Sequence, residues 1–159
     1  MTTPTTSTST LTALVVDDKP ESLSVLVEVL SRSGFRVLVA EDGEAALETV
    51  VPAQPDVIFL DINLPGIDGF ETARRLRASD ASQEIPILFV TALDRTADRV
   101  RGFAAGGVDY VTKPFRADEV LSRARAYAEV TSLRRRVKRA RALLEENDVA
   151  AAKALLALE

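Results

Sequence analysis

The stretch Asp56–Gly69, D-V-I-F-L-D-I-N-L-P-G-I-D-G, decides the fold. Val57 to Leu60 form an unbroken apolar run too short for an ordinary helix, which suits a strand buried on both faces. That run leads straight into a carboxylate, Asp61. Pro65 and Gly66 then force a turn, and Asp68 with Glu71 gives a capping-box-like start to the next helix. An acid at the C-terminal end of a buried parallel strand stands where open α/β sheets carry their ligand chemistry. Asp61 is therefore the predicted chemical centre.

The same pattern repeats on either side. Upstream, Leu11 to Val16 is an apolar run that stops on Asp17 and Asp18, and Pro20 suits a first helical position. Leu23, Leu26, Val27 and Leu30 follow with helical spacing until Ser33-Gly34 closes the helix. Phe35 to Val39 reads as a second strand, and Glu41, Asp42 and Glu44 open a helix with Ala46, Leu47 and Val50 inside. Pro52 and Pro55 are expected to bracket the loop into the central strand.

Downstream, Phe70, Ala73 and Leu76 mark a third helix ending near Ala81, and Ile85 to Val90 forms a fourth strand stopping on Thr91-Ala92. Asp94 is expected to cap a fourth helix that Gly106-Gly107 ends. Val108 to Thr112 is the fifth strand, Lys113-Pro114-Phe115 follows, and a long helix begins near Ala117. Five strand–helix units predict an α/β, doubly wound, five-stranded parallel sheet. Its strand ends share one edge, so Asp17, Asp18, Asp61, Thr91 and Lys113 are expected to converge.

The bulk composition narrows the chemistry. A chain of 159 residues holds one domain with a core and something small besides. No apolar run approaches the roughly 18 residues of a membrane span, and the Thr/Ser-rich start lacks the apolar core of a secretory signal. Residues 1–10 read as a disordered tail. Cysteine is absent, which excludes disulfides and thiolate metal sites and fits a cytoplasmic protein. Histidine is absent too, which excludes a phosphohistidine carrier and a Ser-His hydrolase. The net charge of −4 divides unevenly: residues 1–131 carry 13 basic and 20 acidic side chains, and residues 132–159 carry 7 and 4.

V-V-D-D at 15–18, L-D-I-N-L-P-G-I-D-G at 60–69, V-T-A at 90–92 and D-Y-V-T-K-P-F at 109–115 occur in this order. With them, residues 11–129 resemble a receiver domain of two-component response regulators, the CheY-like family. The resemblance implies a flavodoxin-like strand order, 2-1-3-4-5. It implies that Asp61 takes a phosphoryl group from the phosphohistidine of a histidine kinase or phosphotransfer protein, a signalling step rather than enzymatic turnover. It implies a Mg²⁺ (or Mn²⁺) ion held by Asp18, Asp61 and the backbone carbonyl of Asn63, with Asp17 acting through water. Lys113, the Thr91 hydroxyl and the Ala92 N–H would take the phosphoryl oxygens, and the Lys113–Pro114 peptide would be cis. Thr91 and Tyr110 match the switch positions, so the face formed by helix 4, strand 5 and helix 5 would respond, together with the C-terminal helix. The Asn63 side chain would tune how long the phosphoryl group lasts.

Two other classes fit less well. An aspartate-nucleophile phosphatase of the haloacid dehalogenase type needs an acid two residues after the nucleophile, where this chain has Asn63. A receiver-like dimerisation module that is never phosphorylated would have lost an acid or the lysine, and neither is lost.

In residues 130–159, a C-terminal helical extension, the small or apolar positions Ala126, Val130, Leu133, Val137, Ala140 and Leu144 alternate by four and three, a heptad seam that stays in register through Asn147, Ala151, Ala154 and Leu158. A parallel coiled-coil homodimer is the favoured expectation. Asn147 would then fix the register; alternatively Asn147-Asp148 breaks the helix and the end folds back. The arginines and Lys138 between these positions lack aromatic or recognition-helix company, so direct nucleic-acid binding is expected to be unlikely. No recognisable output domain follows, which fits a single-domain regulator or a fragment.

Overall fold

A computed structural model describes residues 9–92 and 96–157. The Asp94 cap, Leu158 and the first eight residues of the expected tail lie outside the described residues. Five parallel strands, β1 (Thr12–Val16), β2 (Arg36–Ala40), β3 (Val57–Asp61), β4 (Ile87–Thr91) and β5 (Asp109–Thr112), form one sheet in the order β2-β1-β3-β4-β5. Between and after them run α1 (Pro20–Arg32), α2 (Gly43–Ala53), α3 (Gly69–Ala78), α4 (Thr96–Ala104), α5 (Ala117–Glu145) and α6 (Val149–Leu156).

Alternation along the strands divides the core in two. Leu14, Ile58, Leu60, Ile87 and Phe89 face α2 and α3, where Ala46, Val50, Phe70, Ala73 and Leu76 meet them. Ala13, Val15, Val57, Phe59 and Leu88 face α1 and α5 and pack on Leu26, Leu30, Val120, Ala124 and Ala128. Every residue of β3 is buried, as an apolar run in a central parallel strand requires. Its register with β4 sets Asp61 beside Val90, so the strands finish together along one edge.

The helix ends follow their chemistry. Asp42 and Asp68 accept from the N–H groups of Ala45 at 2.7 Å and Glu71 at 2.8 Å, capping α2 and α3. The expected loop at Pro52 is corrected: α2 continues through Ala53. Gln54 then closes it in a left-handed conformation, with its side-chain amide on the carbonyls of Val50 and Val51. The third helix stops at Ala78, short of Ala81.

α5 has two parts. Val120, Ala124, Ala128 and Thr131 are buried against the sheet, and beyond them Arg135 binds the opposite edge from Asp61. Its guanidinium donates to the carbonyls of Gln54 (2.9 Å) and Pro55 (2.7 Å) and to the Asp56 carboxylate (2.8 Å). The expected seam does not continue as one helix. Asn147 adopts a φ of +63°, which Asn tolerates better than most residues, and Asp148 caps α6 by accepting from the Ala151 N–H at 3.0 Å. α6 therefore packs back on α5, with the small side chains Ala140 and Ala152 both buried. The homodimer expected through this helix loses its continuous seam at that turn.

Candidate functional site

The C-terminal edge of the sheet brings together Asp17, Asp18 and Asp61, with one carboxylate oxygen from each lying within 4.8 Å of the others. Asp17 and Asp61 are almost wholly buried and Asp18 is exposed. Three carboxylates this close repel one another unless a cation intervenes. Lys113 supplies one: its Nζ donates to Asp61 Oδ2 at 2.8 Å and to Asp17 Oδ2 at 3.0 Å. The other oxygens are held by backbone, Lys19 N–H on Asp17 Oδ1 and Asn63 N–H on Asp61 Oδ1, both at 2.9 Å. The Lys113–Pro114 peptide is cis.

The electrostatics reflect this crowding. Burial lifts the Asp61 carboxyl above its ordinary range, and the neighbouring Asp17 charge adds to the rise against the bonds from Lys113 and Asn63. For Lys113, burial disfavours the ammonium, but the hydrogen bonds to Asp61 and Asp17 outweigh it and raise its pKa. The donors are hard, all oxygen, and open to water on the Asp18 side. That set suits a hard divalent cation such as Mg²⁺, which keeps several waters when bound.

Gly69 allows the turn after β3. A Cβ there would lie 2.3 Å from the Asp61 backbone oxygen, so only glycine lets α3 start this close to the acid. Thr91 ends β4, buried, and its carbonyl accepts from the Lys113 N–H at 2.8 Å; Ala92 beside it is exposed. A pocket of about 490 Å³ opens over this edge, lined among others by Asp18, Asn63, Thr91, Asp68, Phe70 and Arg101.

Tyr110 is buried on β5. Its hydroxyl donates to the carbonyl oxygens of Asp98 (2.6 Å) and Arg99 (2.9 Å) in α4, and burial pushes its phenol pKa up. The ring stands in a row, Phe70–Phe89–Tyr110–Phe103, with centroids 5.4, 5.7 and 5.5 Å apart. Arg101 and Gly102 in α4 were not singled out from the sequence. No periodicity marks either one, and only the fold sets Arg101 over Phe70 and Gly102 under Tyr110.

The response regulator receiver domain family matches residues 13–125. The chain belongs to that family. The DNA-binding dual master transcriptional regulator RpaA of Synechocystis sp. is 43% identical over 114 residues, 71% of this chain and 47% of that protein. The response regulator MprA of Mycobacterium ulcerans is 42% identical over 120 residues, 76% of this chain and 51% of its own length. The chain thus spans about half the length of these curated relatives. Among solved structures, a putative response regulator from Chloroflexus aurantiacus superposes with a TM-score of 0.73 at 35% identity, covering 76% of this chain and 99% of its own. The receiver domain of a sensor histidine kinase from Pseudomonas aeruginosa gives 0.71 at 30% over the same shares, and it holds a magnesium ion in its active-site cleft.

These relatives correct one expectation. The lack of a recognition pattern in the basic segment argues against direct nucleic-acid binding, yet receivers this similar occur in transcriptional regulators, one of them DNA-binding by name. A missing motif in residues 130–159 is no measure of what a receiver is coupled to. Among the described residues, no helix is long and apolar enough to cross a membrane.

Proposed function

We propose that Asp61 accepts a phosphoryl group from a phosphohistidine on a partner histidine kinase or phosphotransfer protein, in a Mg²⁺-dependent reaction. The observation that carries this reading is the Lys113 ammonium bonded at once to Asp61 and Asp17 inside a three-carboxylate cluster. In the transfer, an Asp61 carboxylate oxygen forms a bond to phosphorus as the bond from phosphorus to the imidazole nitrogen breaks. The electron pair leaves on that nitrogen, and the product is an acyl phosphate on Asp61.

Asp17, Asp18 and Asp61, with the Asn63 carbonyl, would hold the ion, which when bound offsets the charge of the carboxylates and of the incoming phosphoryl oxygens. Lys113 exchanges one carboxylate oxygen for a phosphoryl oxygen and stays charged, since its pKa is raised. The Thr91 hydroxyl and Ala92 N–H take the remaining oxygens. Movement of Thr91 changes the room beside Tyr110, so the face of α4, β5 and α5 is the part that switches. The transcriptional regulators among the relatives support an output at gene regulation.

The test is incubation with Mg²⁺ and acetyl phosphate, followed by intact mass. A single addition of one phosphoryl group that disappears in Asp61→Ala is the expected result. Labelling that persists in Asp61→Ala, or none in the parent protein, refutes the assignment.

A further inference from the structure

We propose that Arg101, on α4, is a second cationic contact for the phosphoryl group at Asp61, reached from a resting position over the Phe70 ring. The inference rests on the phosphoacceptor reading above. Arg101 lines the same pocket as Asp18, Asn63 and Thr91, so its side chain borders the space an incoming phosphoryl group would enter. Its guanidinium carbon stands 4.5 Å from the Phe70 ring centroid, and its Nη2 lies 3.8 Å from Asp68 Oδ2.

Neither contact holds it firmly. The ion pair is at the outer limit of such pairs, both partners are about half exposed, and the other Asp68 oxygen is occupied capping α3. Exposed pairs of this kind contribute little and are readily exchanged. A phosphoryl group brings nearly two negative charges and three acceptor oxygens, a stronger attraction than one shared carboxylate. Lys113 frees only one of its two carboxylate contacts for a phosphoryl oxygen and so meets part of that demand.

The position of Arg101 also gives the contact a consequence. Gly102, the next residue, lies against the Tyr110 hydroxyl, and Phe70 begins the aromatic row that contains Tyr110. A guanidinium drawn off Phe70 toward the phosphoryl group pulls on the helix that seats Tyr110.

The test compares the parent protein with Arg101→Gln and Arg101→Lys. The rate of Asp61 labelling is read by intact mass over a range of acetyl phosphate concentrations, and Mg²⁺ affinity is read separately by calorimetry without donor. One charge-assisted contact to the donor corresponds to about tenfold in donor binding. Arg101→Gln is expected to raise the donor concentration for half-maximal rate by about that factor, and Arg101→Lys to recover part of it. Mg²⁺ affinity should be unchanged or slightly tighter, because a nearby positive charge is gone. A structural role would lower both affinities together and would not be rescued by lysine. Equal donor dependence in the parent and Arg101→Gln overturns the inference alone. Absence of labelling in the parent removes the phosphoacceptor reading and this inference with it.

Discussion

Gly102→Ala gives a sharp test of how Tyr110 is seated. A Cβ on Gly102 would stand 1.8 Å from the Tyr110 hydroxyl oxygen, 2.8 Å from its Cζ and 3.0 Å from Phe89 Cδ2. On an exposed helix the change would stabilise by about 1 kcal/mol through helix propensity. Here overpacking costs about 1–3 kcal/mol. Displacing the hydroxyl from the Asp98 and Arg99 carbonyls, which share its single proton, costs about 1 kcal/mol more. The net expectation is destabilisation by about 1–3 kcal/mol, or about 3–9 °C in Tm for a chain of this size. Urea denaturation measures the first number. Tyrosine emission measures the displacement: the protein has no tryptophan and two tyrosines, so a Tyr127→Phe background isolates Tyr110. Because the closest contact is the hydroxyl, Gly102→Ala should cost about 1 kcal/mol less in a Tyr110→Phe background. A variant as stable as its parent, or an equal cost in both backgrounds, refutes the reasoning.

Three further outcomes are expected. Arg135→Ala leaves two carbonyls and the buried Asp56 carboxylate without their donor at a partly buried site. Destabilisation of about 1–3 kcal/mol should follow, with faster amide exchange in residues 132–157, and Arg135→Lys should restore only part of it because one ammonium cannot reproduce the fork. Asp61→Asn should raise stability at neutral pH. Burial holds the Asp61 pKa above its unfolded value, so its contribution is favourable below the ordinary aspartate range and is lost as pH rises and the buried carboxyl ionises. The gap between variant and parent should therefore close in acid, which denaturation at a series of pH values reads directly. Gly69→Ala sets a Cβ against the backbone of Asp61 and Ile62 and should cost about 2–4 kcal/mol while slowing Asp61 labelling by intact mass.

The sheet was legible in the sequence because each strand is a short, mostly apolar run that ends on or just before a polar residue, and parallel topology then gathers Asp17, Asp18, Asp61, Thr91 and Lys113. What escaped had no local signature. Pro52 looks like a helix breaker, but it stands in the last turn of α2, and the Gln54 side chain takes up the carbonyls of that turn. Arg135 reads as one of six cations in residues 134–141, and nothing nearby reveals that it alone grips Gln54, 81 residues earlier. The heptad spacing was real, but it cannot tell two chains from one chain folded back. The left-handed turn at Asn147 ends the long helix and lets α6 fold back onto Ala140, while Val130, Leu133, Val137 and Leu144 stay exposed along α5.

β3 carries a buried acid at Asp61 and follows directly on another at Asp56, each held by a cation from the C-terminal third of the chain. It is tempting to read the strand as a rod linking site to extension. The packing argues against this. All five residues of β3 are buried on both faces with Ile58, Phe59 and Leu60 fully enclosed, and a close-packed central strand has no second arrangement to adopt. α4 differs: Val100 and Phe103 are more than half exposed, and it meets the site through Arg101 on Phe70 and through the Tyr110 hydroxyl. Those contacts exchange far more cheaply than a buried strand shifts. A charge change at Asp61 is therefore expected to leave the site sideways, along the aromatic row into α4, with Arg135 holding the far end of α5. On the phosphoacceptor reading proposed above, the extension would sense a change in what stands beside α5 rather than in its angle. On this argument, labelling Asp61 should alter amide exchange in α4 and leave the segment around Arg135 unchanged; the reverse pattern would show that the strand, not the helix, carries the signal.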